Sequence, residues 1–577
     1  MKYCFIKKLG FITLLLLIHN IFAHTYRIEY QDERRIANRV RVAASRFQTI
    51  SKPPVDIEDK NPDENNVPDY AGSYTKGFKH DVATGVVDVT GKKSFEQLVQ
   101  AMHTGLQPDF NAMILAGPRK QVCPQGALTF SLDGGDSALF TMPLPPSITS
   151  DEGAADLIEV YLQMLCRDVE YQDYGTAAGS DVDIINGGSK TNNAAAVLNA
   201  LGSAYHGPRN DGLVDKHVLF RGNSVGDLTG PYLSQFLLLS LYPLFDKNSL
   251  VEQKQWYRIA QRHEFGVSWN HFIDIQDGKI PLNYTAADYD AVNVRYIVDN
   301  RDLGNYSHND GPYEPYYNAV NILLTNKFPL SPSLPYNNGT ITKEAPFVNM
   351  GAPDIYALVG DVTREALKAA WAQKWRCTRR LRPEAFAGLV HWTKENPGAG
   401  NPYALSNAFF SVLGGIDFLA WVLAYNQEQI GVPGNTLTLP QASTYLLAQM
   451  YPEASPLHPS YPSGHATIAG ACVTVIKAIF NDQAKIKDFV VNAPVNGPVK
   501  VDSSDLLRKT LVQLTPLEGR DLLTVAGELD KLAYNISAGR NCAGIHYRAD
   551  AEGGINLGEE VGIRYLQDKA RLYAEPT

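Results

Sequence analysis

The sequence predicts an all-α protein in which β-structure is limited to minor hairpins. Six segments between residues 94 and 480 space apolar residues three and four apart, which is the period of a helix with one buried face. No sustained run alternates apolar and polar residues, as the strands of a large sheet would. The chain is 44% hydrophobic and 20% charged, which is the composition of a folded protein with a sizeable core. We therefore expect one large, mainly helical domain.

The predicted helices account for most of the regular structure along the chain. They lie at 94–106, 154–166, 231–242, 316–324, 364–381 and 466–480. Residues 128–145 combine apolar residues with an Asp-Gly-Gly-Asp turn and could form a hairpin. Residues 327–352 are rich in Pro, Asn and Gly, so we expect a long loop there.

The first 23 residues predict a secretory signal peptide. Lys2, Lys7 and Lys8 precede an apolar run at 9–18, and Ala23 offers a small residue for cleavage. The run is shorter than the roughly 20 apolar residues that a membrane-spanning helix needs, and no later segment reaches that length. We therefore expect a secreted, extracellular protein with no membrane span.

An extended arm or linker is predicted at 24–90, ahead of a helical domain at 91–577. The prediction rests on residues 51–70, which are rich in Pro, Asp and Asn and nearly lack large apolar residues.

The net charge and the cysteine spacing argue against nucleic acid as a partner and against a structural zinc site. A net charge of -9 argues against nucleic acid as a partner, because nucleic-acid binders usually carry a basic face. No two cysteines have CxxC spacing, which argues against a structural zinc site. Five cysteines remain once Cys4 leaves with the signal peptide, so at least one is free or bridges two subunits.

The stretch HPSYPSGHAT, residues 458–467, predicts an oxyanion site at the start of a helix. Ser463 is a good N-cap, and the unpaired N–H groups of a helix N-terminus suit a bound oxyanion. The Ser463 hydroxyl and the Gly464 N–H would point toward that anion, and His465 could exchange a proton beside it. The alternative is a capped structural helix with incidental histidines.

The stretch KWRCTRRLRP, residues 374–383, can direct two cations at one small anion. Pro383 disfavours α-helical conformation at Arg382, so the preceding helix should stop there. Lys374 lies eight residues earlier, roughly 12 Å along a helix and about 80° around it, which permits the two side chains to converge. The alternative is a basic helix end whose charges are solvated.

The stretch GRNCAGIHYRAD, residues 539–550, supplies a third cation and a second imidazole. Gly539 and Gly544 allow an irregular backbone that presents Arg540 and His546 to one pocket. His546 and Asp550 are four residues apart on the following predicted helix, so the carboxylate could fix the imidazole tautomer. The alternative is an ordinary surface pair.

In this order and spacing, the three stretches resemble the vanadium-dependent haloperoxidases and the related type-2 phosphatidic acid phosphatases. The resemblance is strongest to the bromoperoxidases of marine algae, because His458 precedes His465 by seven residues. The first stretch also has seven residues between Lys374 and Arg382, where phosphatases usually have six. Residues 220–238, 301–319 and 351–385 look like bromoperoxidase segments as well.

The resemblance implies a vanadate ion bound through one bond from His546. The site would be built from 371–383, 458–467 and 539–550, at the end of one of two helical bundles packed in one domain. His465 would act as acid and base, with Lys374 and His458 as further catalytic residues. The vanadate oxygens would be held by Lys374, Arg382, Ser463, Gly464 and Arg540. Trp371 would line the pocket, and Asp550 would support His546. Asp302 or Asp310 is a candidate to orient His465, and the alternative for either residue is a surface or interhelix ion pair.

The implied activity is the oxidation of bromide and iodide by hydrogen peroxide to hypohalous acid, which halogenates small organic acceptors. A structural calcium ion and a homo-oligomer, dimer or larger, are further implications. Two alternatives remain open at this point. One is an acid phosphatase that forms a phosphohistidine at His546, with His465 protonating the leaving group. The other is a secreted binding protein on the same fold with an inactive site.

Overall fold

A computed structural model describes residues 61–575, except 132, 243–251, 282–287, 309–310, 431–440, 442 and 491–495. The predicted signal peptide and the first part of the predicted arm lie outside the described residues. In chain order the helices are α1 (Pro62–Asn66), α2 (Val89–Thr104), α3 (Gln107–Asn111), α4 (Asp151–Cys166), α5 (Lys190–Ala200), α6 (Trp269–Gln276), α7 (Asn300–Tyr306), α8 (Glu314–Thr325), α9 (Ala352–Trp371), α10 (Pro383–Glu395), α11 (Phe418–Gln427), α12 (Gly464–Ile479), α13 (Ile486–Phe489), α14 (Val525–Cys542) and α15 (Arg548–Ala570).

Two small antiparallel sheets of two strands each supply the strands of the described residues. Strand β1 (Tyr257–Ala260) pairs with β2 (Tyr289–Arg295), and β3 (Val499–Val501) pairs with β4 (Leu511–Gln513). The prediction of an all-α fold with minor hairpins is therefore confirmed. Within the described ranges, no helix combines the length and the apolar character that a membrane crossing requires.

The helices enclose two large apolar cores, one for each bundle. The first core is formed mainly by α4, α5, α10 and α11, and the second mainly by α8, α9, α12, α14 and α15. Representative buried side chains of the first are Leu157, Leu162, Leu198, Phe386 and Val422, and of the second Val320, Val359, Val473, Leu532 and Leu557.

Helices α12 and α15 approach each other closely because glycines face the partner backbone. A Cβ atom at Gly470 would lie 2.1 Å from the Ile555 carbonyl oxygen, and one at Gly558 would lie 2.0 Å from the Thr467 carbonyl oxygen. Neither position can accept a side chain without moving a helix. This close contact fixes the start of α12 beside the start of α15.

The helix predicted over 231–242 is wrong, because only a 3-10 turn, Gln235–Leu237, forms there. Its backbone amides bind distant side chains instead. The N–H of Ser234 donates to Asn535 Oδ1 at 2.9 Å, and the N–H of Gln235 donates to Glu528 Oε2 at 2.7 Å. Tertiary partners have replaced the helical hydrogen bonds.

The hairpin predicted over 128–145 is also wrong, because the described part of this stretch contains no strand. Its polar groups bond to other segments rather than across a ladder. The Gly134 N–H donates to Asp568 Oδ2 at 2.9 Å, and the Phe140 carbonyl accepts a hydrogen bond from Gln373 Nε2 at 2.8 Å. The loop predicted over 327–352 is confirmed.

Residues 61–90, the described part of the predicted arm, contribute buried side chains to the body. Phe78 is 0% exposed, and Lys76 is 2% exposed. Lys76 Nζ donates to Glu384 Oε1 at 2.9 Å and to the Ser455 carbonyl at 2.7 Å. Burial lowers the pKa of Lys76 to about 8 despite the Glu384 carboxylate. The boundary at residue 90 stays a prediction.

Candidate active site

The first stretch leaves the α-helix before it reaches Arg382. Helix α9 ends at Trp371 and continues as a π-helical turn, Ala372–Thr378, which carries Lys374 inward. Arg379 then adopts a left-handed conformation (φ 38°), and its guanidinium donates to the Trp375 and Arg376 carbonyls at the end of the turn. The helix therefore stops earlier than predicted. Arg382 is extended, as predicted, and is the N-cap of α10.

Lys374 is fully buried and is held by two carbonyl groups. Its Nζ donates to the Pro459 and Ser460 carbonyl oxygens, each at 2.7 Å. Burial lowers the pKa of Lys374 well below its ordinary value, and the nearby charge of Arg382 lowers it further. The first stretch is thereby tied to the second.

Arg382 connects all three stretches. Its Nε donates to the His458 carbonyl at 2.9 Å, and its Nη2 donates to His458 Nδ1 at 2.9 Å. Its Nη1 donates to the Ile545 carbonyl at 2.8 Å and to His546 Nε2 at 3.1 Å. Burial lowers the pKa of Arg382 to about 10. The Arg382 guanidinium thus contacts the imidazoles of His458 and His546.

His546 lies just before α15, on the backbone that follows the left-handed Gly544 (φ 87°). It was predicted to lie on that helix, whereas the N-cap is Tyr547. Its Nδ1 donates to Asp550 Oδ2 at 2.8 Å, as the spacing predicted. Burial, and then the Arg382 charge, lower the pKa of His546 well below its ordinary value. The ring is therefore neutral at neutral pH, with its Nε2 lone pair directed at Arg382.

Asp550 is a fully buried carboxylate with several donors. Its Oδ1 accepts from Arg380 Nη1 at 2.8 Å, and its Oδ2 accepts from the Ser460 hydroxyl as well as from His546. Burial alone would raise the pKa of Asp550, but Arg380 and the hydrogen bond with His546 hold it well below its usual range. Asp550 is therefore ionised and fixed in orientation.

Arg540 lies on α14, which is regular through Gly539, so that glycine does not interrupt the helix as predicted. A Cβ at Gly539 would instead meet the Leu303 carbonyl at 2.8 Å. Arg540 Nη1 donates to the Ser307 carbonyl at 2.8 Å, and the guanidinium lies 5.5 Å from the Tyr451 ring centroid. Its Nε is buried and has no partner among the described residues.

Ser463 is the N-cap of α12, as predicted. Its hydroxyl accepts from the Ala466 N–H at 3.4 Å, and its own N–H donates to the Asp550 carbonyl at 2.9 Å. Gly464 is the first residue of the helix, and His465, the second, is partly buried. The helix N-terminus therefore lies against the start of α15.

The Trp371 indole lies beside the 458–467 stretch. Its ring centroid is 4.9 Å from that of His458, and a Cβ at Gly464 would lie 3.4 Å from Trp371 Cζ3. Its Nε1 donates to the Val122 carbonyl at 3.2 Å, and the Val122 N–H donates to the Leu457 carbonyl at 2.8 Å. The 121–123 segment, which sequence reasoning did not single out, therefore holds Trp371 in place.

Asp302 forms an ion pair with Arg295, which was the alternative to a role in orienting His465. Both of its carboxylate oxygens accept from Arg295, at 2.9 and 3.0 Å. Asp310 lies outside the described residues. Sequence reasoning also missed Ser460 and Arg380, although both occur inside the quoted stretches. Only their contacts distinguish them from neighbouring serines and arginines.

No cluster of three or more His, Cys, Asp or Glu side chains suited to a metal ion occurs among the described residues. The structural calcium ion stays a prediction. Of the five described cysteines, Cys123 is exposed, and Cys166, Cys377, Cys472 and Cys542 are buried.

Three comparisons place the chain among known proteins. Residues 413–575 match the family model for the VCPO second helical-bundle domain. The chain is 31% identical to the vanadium-dependent bromoperoxidase of Corallina pilulifera over 568 residues, which cover 89% of this chain and 90% of that protein. It is also 31% identical to the vanadium-dependent bromoperoxidase of Ascophyllum nodosum over 525 residues, which cover 89% of this chain and 85% of that protein.

A solved structure shows the same fold. The second vanadate-dependent bromoperoxidase of Ascophyllum nodosum, a homohexamer, matches with a TM-score of 0.76 at 24% identity. The match covers 95% of this chain and 86% of that one. Because the similarity to the curated relatives spans nearly the whole of both sequences, this chain belongs to the vanadium-dependent bromoperoxidases, a family of the vanadium haloperoxidases.

Proposed function

We propose that this protein binds vanadate and uses hydrogen peroxide to oxidise bromide, and also iodide, to hypohalous acid, which halogenates small organic acceptors. One observation carries the proposal. Lys374, Arg382 and Arg540 are each at least 95% buried, and none forms an ion pair with a carboxylate of the described residues.

Five other buried arginines of this protein have an acidic partner. Arg167 pairs with Glu264, Arg301 with Asp168, Arg379 with Glu64, Arg380 with Asp156 and Asp550, and Arg548 with Glu159. A buried charge without a counter-charge is strongly unfavourable. The three cations interact electrostatically with one another, and Lys374 and Arg382 also interact with the imidazoles of His458 and His546. An oxyanion of charge about -2 to -3 would compensate these charges.

The donors of the site suit an oxyanion with a metal at its centre. His546 Nδ1 carries the proton given to Asp550, so Nε2 has the lone pair that a metal ligand needs. Arg540 Nε is a buried donor available to an oxygen. The Ser463 hydroxyl and the Gly464 N–H stand at the N-terminus of α12, where the helix dipole favours negative charge. These groups, with Lys374 and Arg382, would hold the vanadate oxygens.

Bound vanadate supplies a Lewis-acidic metal that activates hydrogen peroxide toward halide. The His465 imidazole takes a proton from the incoming peroxide and later returns it to a product oxygen. Lys374 Nζ and the guanidinium groups favour negative charge on the oxygen that is not transferred. His458 and Trp371 form the wall beside these groups. Overall, hydrogen peroxide, bromide and a proton give hypobromous acid and water.

Export from the cell and assembly into several copies are also part of the proposal. The amino-terminal Lys-rich and apolar residues support export, and the Ascophyllum relative is homohexameric.

The test is to remove bound oxyanion with a chelator at acid pH and then to add vanadate. Peroxide-dependent bromination of a phenolic dye should be absent before the addition and return after it. Arg382→Met should lose both the activity and the binding of vanadate. Arg508→Met, which removes an arginine paired with Glu170 outside the site, should retain both.

Activity that is indifferent to vanadate would refute the proposal. Rapid hydrolysis of a phosphomonoester by the vanadate-free protein, without bromination, would favour the phosphatase alternative, because vanadate resembles the transition state of phosphoryl transfer.

A further inference from the structure

Ser460 is a buried residue of the 458–467 stretch that contacts the other two site-forming stretches. It is 0% exposed and lies between His458 and Ser463. Its hydroxyl donates to Asp550 Oδ2 and lies 3.5 Å from His546 Nδ1. Its carbonyl accepts from Lys374 Nζ at 2.7 Å, and its N–H donates to the Arg380 carbonyl at 2.9 Å.

The Ser460 hydroxyl completes the set of donors around Asp550. Arg380 occupies Oδ1 at 2.8 Å, whereas His546 Nδ1 and the Tyr547 N–H approach Oδ2 at 2.8 and 3.3 Å. The Ser460 hydroxyl also binds Oδ2, so it shares this oxygen with His546. Without it, the carboxylate loses a donor on the side that determines the orientation of the His546 ring.

The backbone of Ser460 contacts the Lys374 ammonium, whereas its hydroxyl contacts Asp550. Its carbonyl is one of two that hold the Lys374 ammonium, and the segment is anchored to the Arg380 carbonyl. Any shift of Ser460 therefore moves the Lys374 contact and the Asp550 contact together. The His546 imidazole and the Lys374 ammonium are two of the groups proposed to grip one oxyanion.

We propose that Ser460 is a positioning residue that sets the spacing between the His546 imidazole and the Lys374 ammonium. It acts on His546 through Asp550 and on Lys374 through its own carbonyl. This inference rests on the proposed binding of vanadate and adds a residue that does not itself touch the anion.

The test compares vanadate binding by full-length, vanadate-free variants, using equilibrium dialysis with vanadium measured by mass spectrometry. Ser460→Ala should raise the Kd for vanadate about 10- to 100-fold, as loss of an outer partner of a metal-bound histidine does. The kcat at saturating vanadate should fall by a smaller factor. Ser460→Cys keeps the volume but has a weak donor, so its Kd should lie between those of the alanine variant and the wild type.

The matched control is Ser94→Ala. Ser94 is equally buried, and its hydroxyl donates to the Ile114 carbonyl outside the site. This variant should bind vanadate within about twofold of the wild type. Far-ultraviolet circular dichroism of each variant reports whether it is folded, and Ser460→Cys serves for binding if Ser460→Ala does not fold.

A double variant distinguishes positioning through Asp550 from a general loss of packing. Asp550→Asn should weaken vanadate binding by itself, and adding Ser460→Ala should change the Kd by only about twofold more. Independent, multiplicative effects would overturn the inference, as would an unchanged Kd for Ser460→Ala. A wild-type protein that does not bind vanadate would instead refute the proposed function.

Discussion

Replacing Asp550 with asparagine tests whether the buried carboxylate stabilises the site as its contacts imply. Asp550 is 0% exposed, and its two oxygens accept hydrogen bonds from Arg380, His546, Ser460 and the Tyr547 N–H. An amide of the same shape has only one oxygen. If that oxygen faces Arg380, the amide NH₂ faces the remaining donors. If it faces His546, the NH₂ faces a guanidinium.

The expected loss of stability depends on the acidic partner that Arg380 keeps in the variant. Removing one partner of a buried ion pair costs about 3–5 kcal/mol. Arg380 keeps Asp156 at 3.0 Å, so its charge is not left uncompensated. We therefore expect Asp550→Asn to lower the free energy of unfolding by about 3 kcal/mol, the lower end of that range. This is a factor of roughly 150 in the folding equilibrium constant.

The assay is urea unfolding of the vanadate-free protein at neutral pH, followed by circular dichroism and by tryptophan fluorescence. Asp274→Asn is the control, because Asp274 pairs with Lys279 at 2.9 Å while both side chains are over 40% exposed. It should cost less than about 1 kcal/mol. If Asp550→Asn destabilises the protein no more than this control, the argument from converging donors is wrong.

Three further predictions concern other parts of the molecule. Burial lowers the pKa of His391 to about 4, so the folded state resists protonation at this residue. The free energy of unfolding should therefore fall by about 3 kcal/mol from this group as the pH drops from about 6.5 to 4. His391→Gln should flatten this part of the plot of unfolding free energy against pH, and parallel curves for the variant and the wild type would contradict the prediction. Of the described cysteines, only exposed Cys123 should react with a thiol reagent in the native protein. Cys123→Ser should abolish that labelling. Labelling that persists at Cys166, Cys377, Cys472 or Cys542 would show that these side chains are not buried. Trp371→Ala should lower kcat/KM for bromide roughly 2- to 13-fold, because an aromatic contact contributes about 0.5–1.5 kcal/mol. The Kd for vanadate should stay unchanged. Equal bromide kinetics in the variant and the wild type would show that Trp371 does not line the pocket.

Much of the site could be predicted because its chemistry requires particular residues at fixed spacings. Ser463 had to precede a helix for its hydroxyl to cap it, and the structure makes it the N-cap of α12. Asp550 follows His546 by four residues, and their contact at 2.8 Å is the one expected. Pro383 excluded Arg382 from a helix, so its backbone is extended, and its side chain reaches the imidazoles of His458 and His546.

The errors arose where distant partners decide the local structure. Periodicity predicted a helix at 231–242, but Asn535 and Glu528, nearly 300 residues later, bind its amides. Periodicity also extended the helix before Arg382 too far, because it could not indicate the π-helical turn that places Lys374 inside.

The sequence by itself determined the helical class, the order of the three stretches and the kinds of groups they carry, because apolar period, capping and proline effects act over a few residues. Only the tertiary structure decided that Lys374, Arg382 and Arg540 are buried with no acidic partner in the described part of the chain, while neighbouring Arg379 and Arg380 have such partners. The reason is physical: charge compensation depends on distances between side chains far apart in the chain, and those distances exist only after the helices have packed.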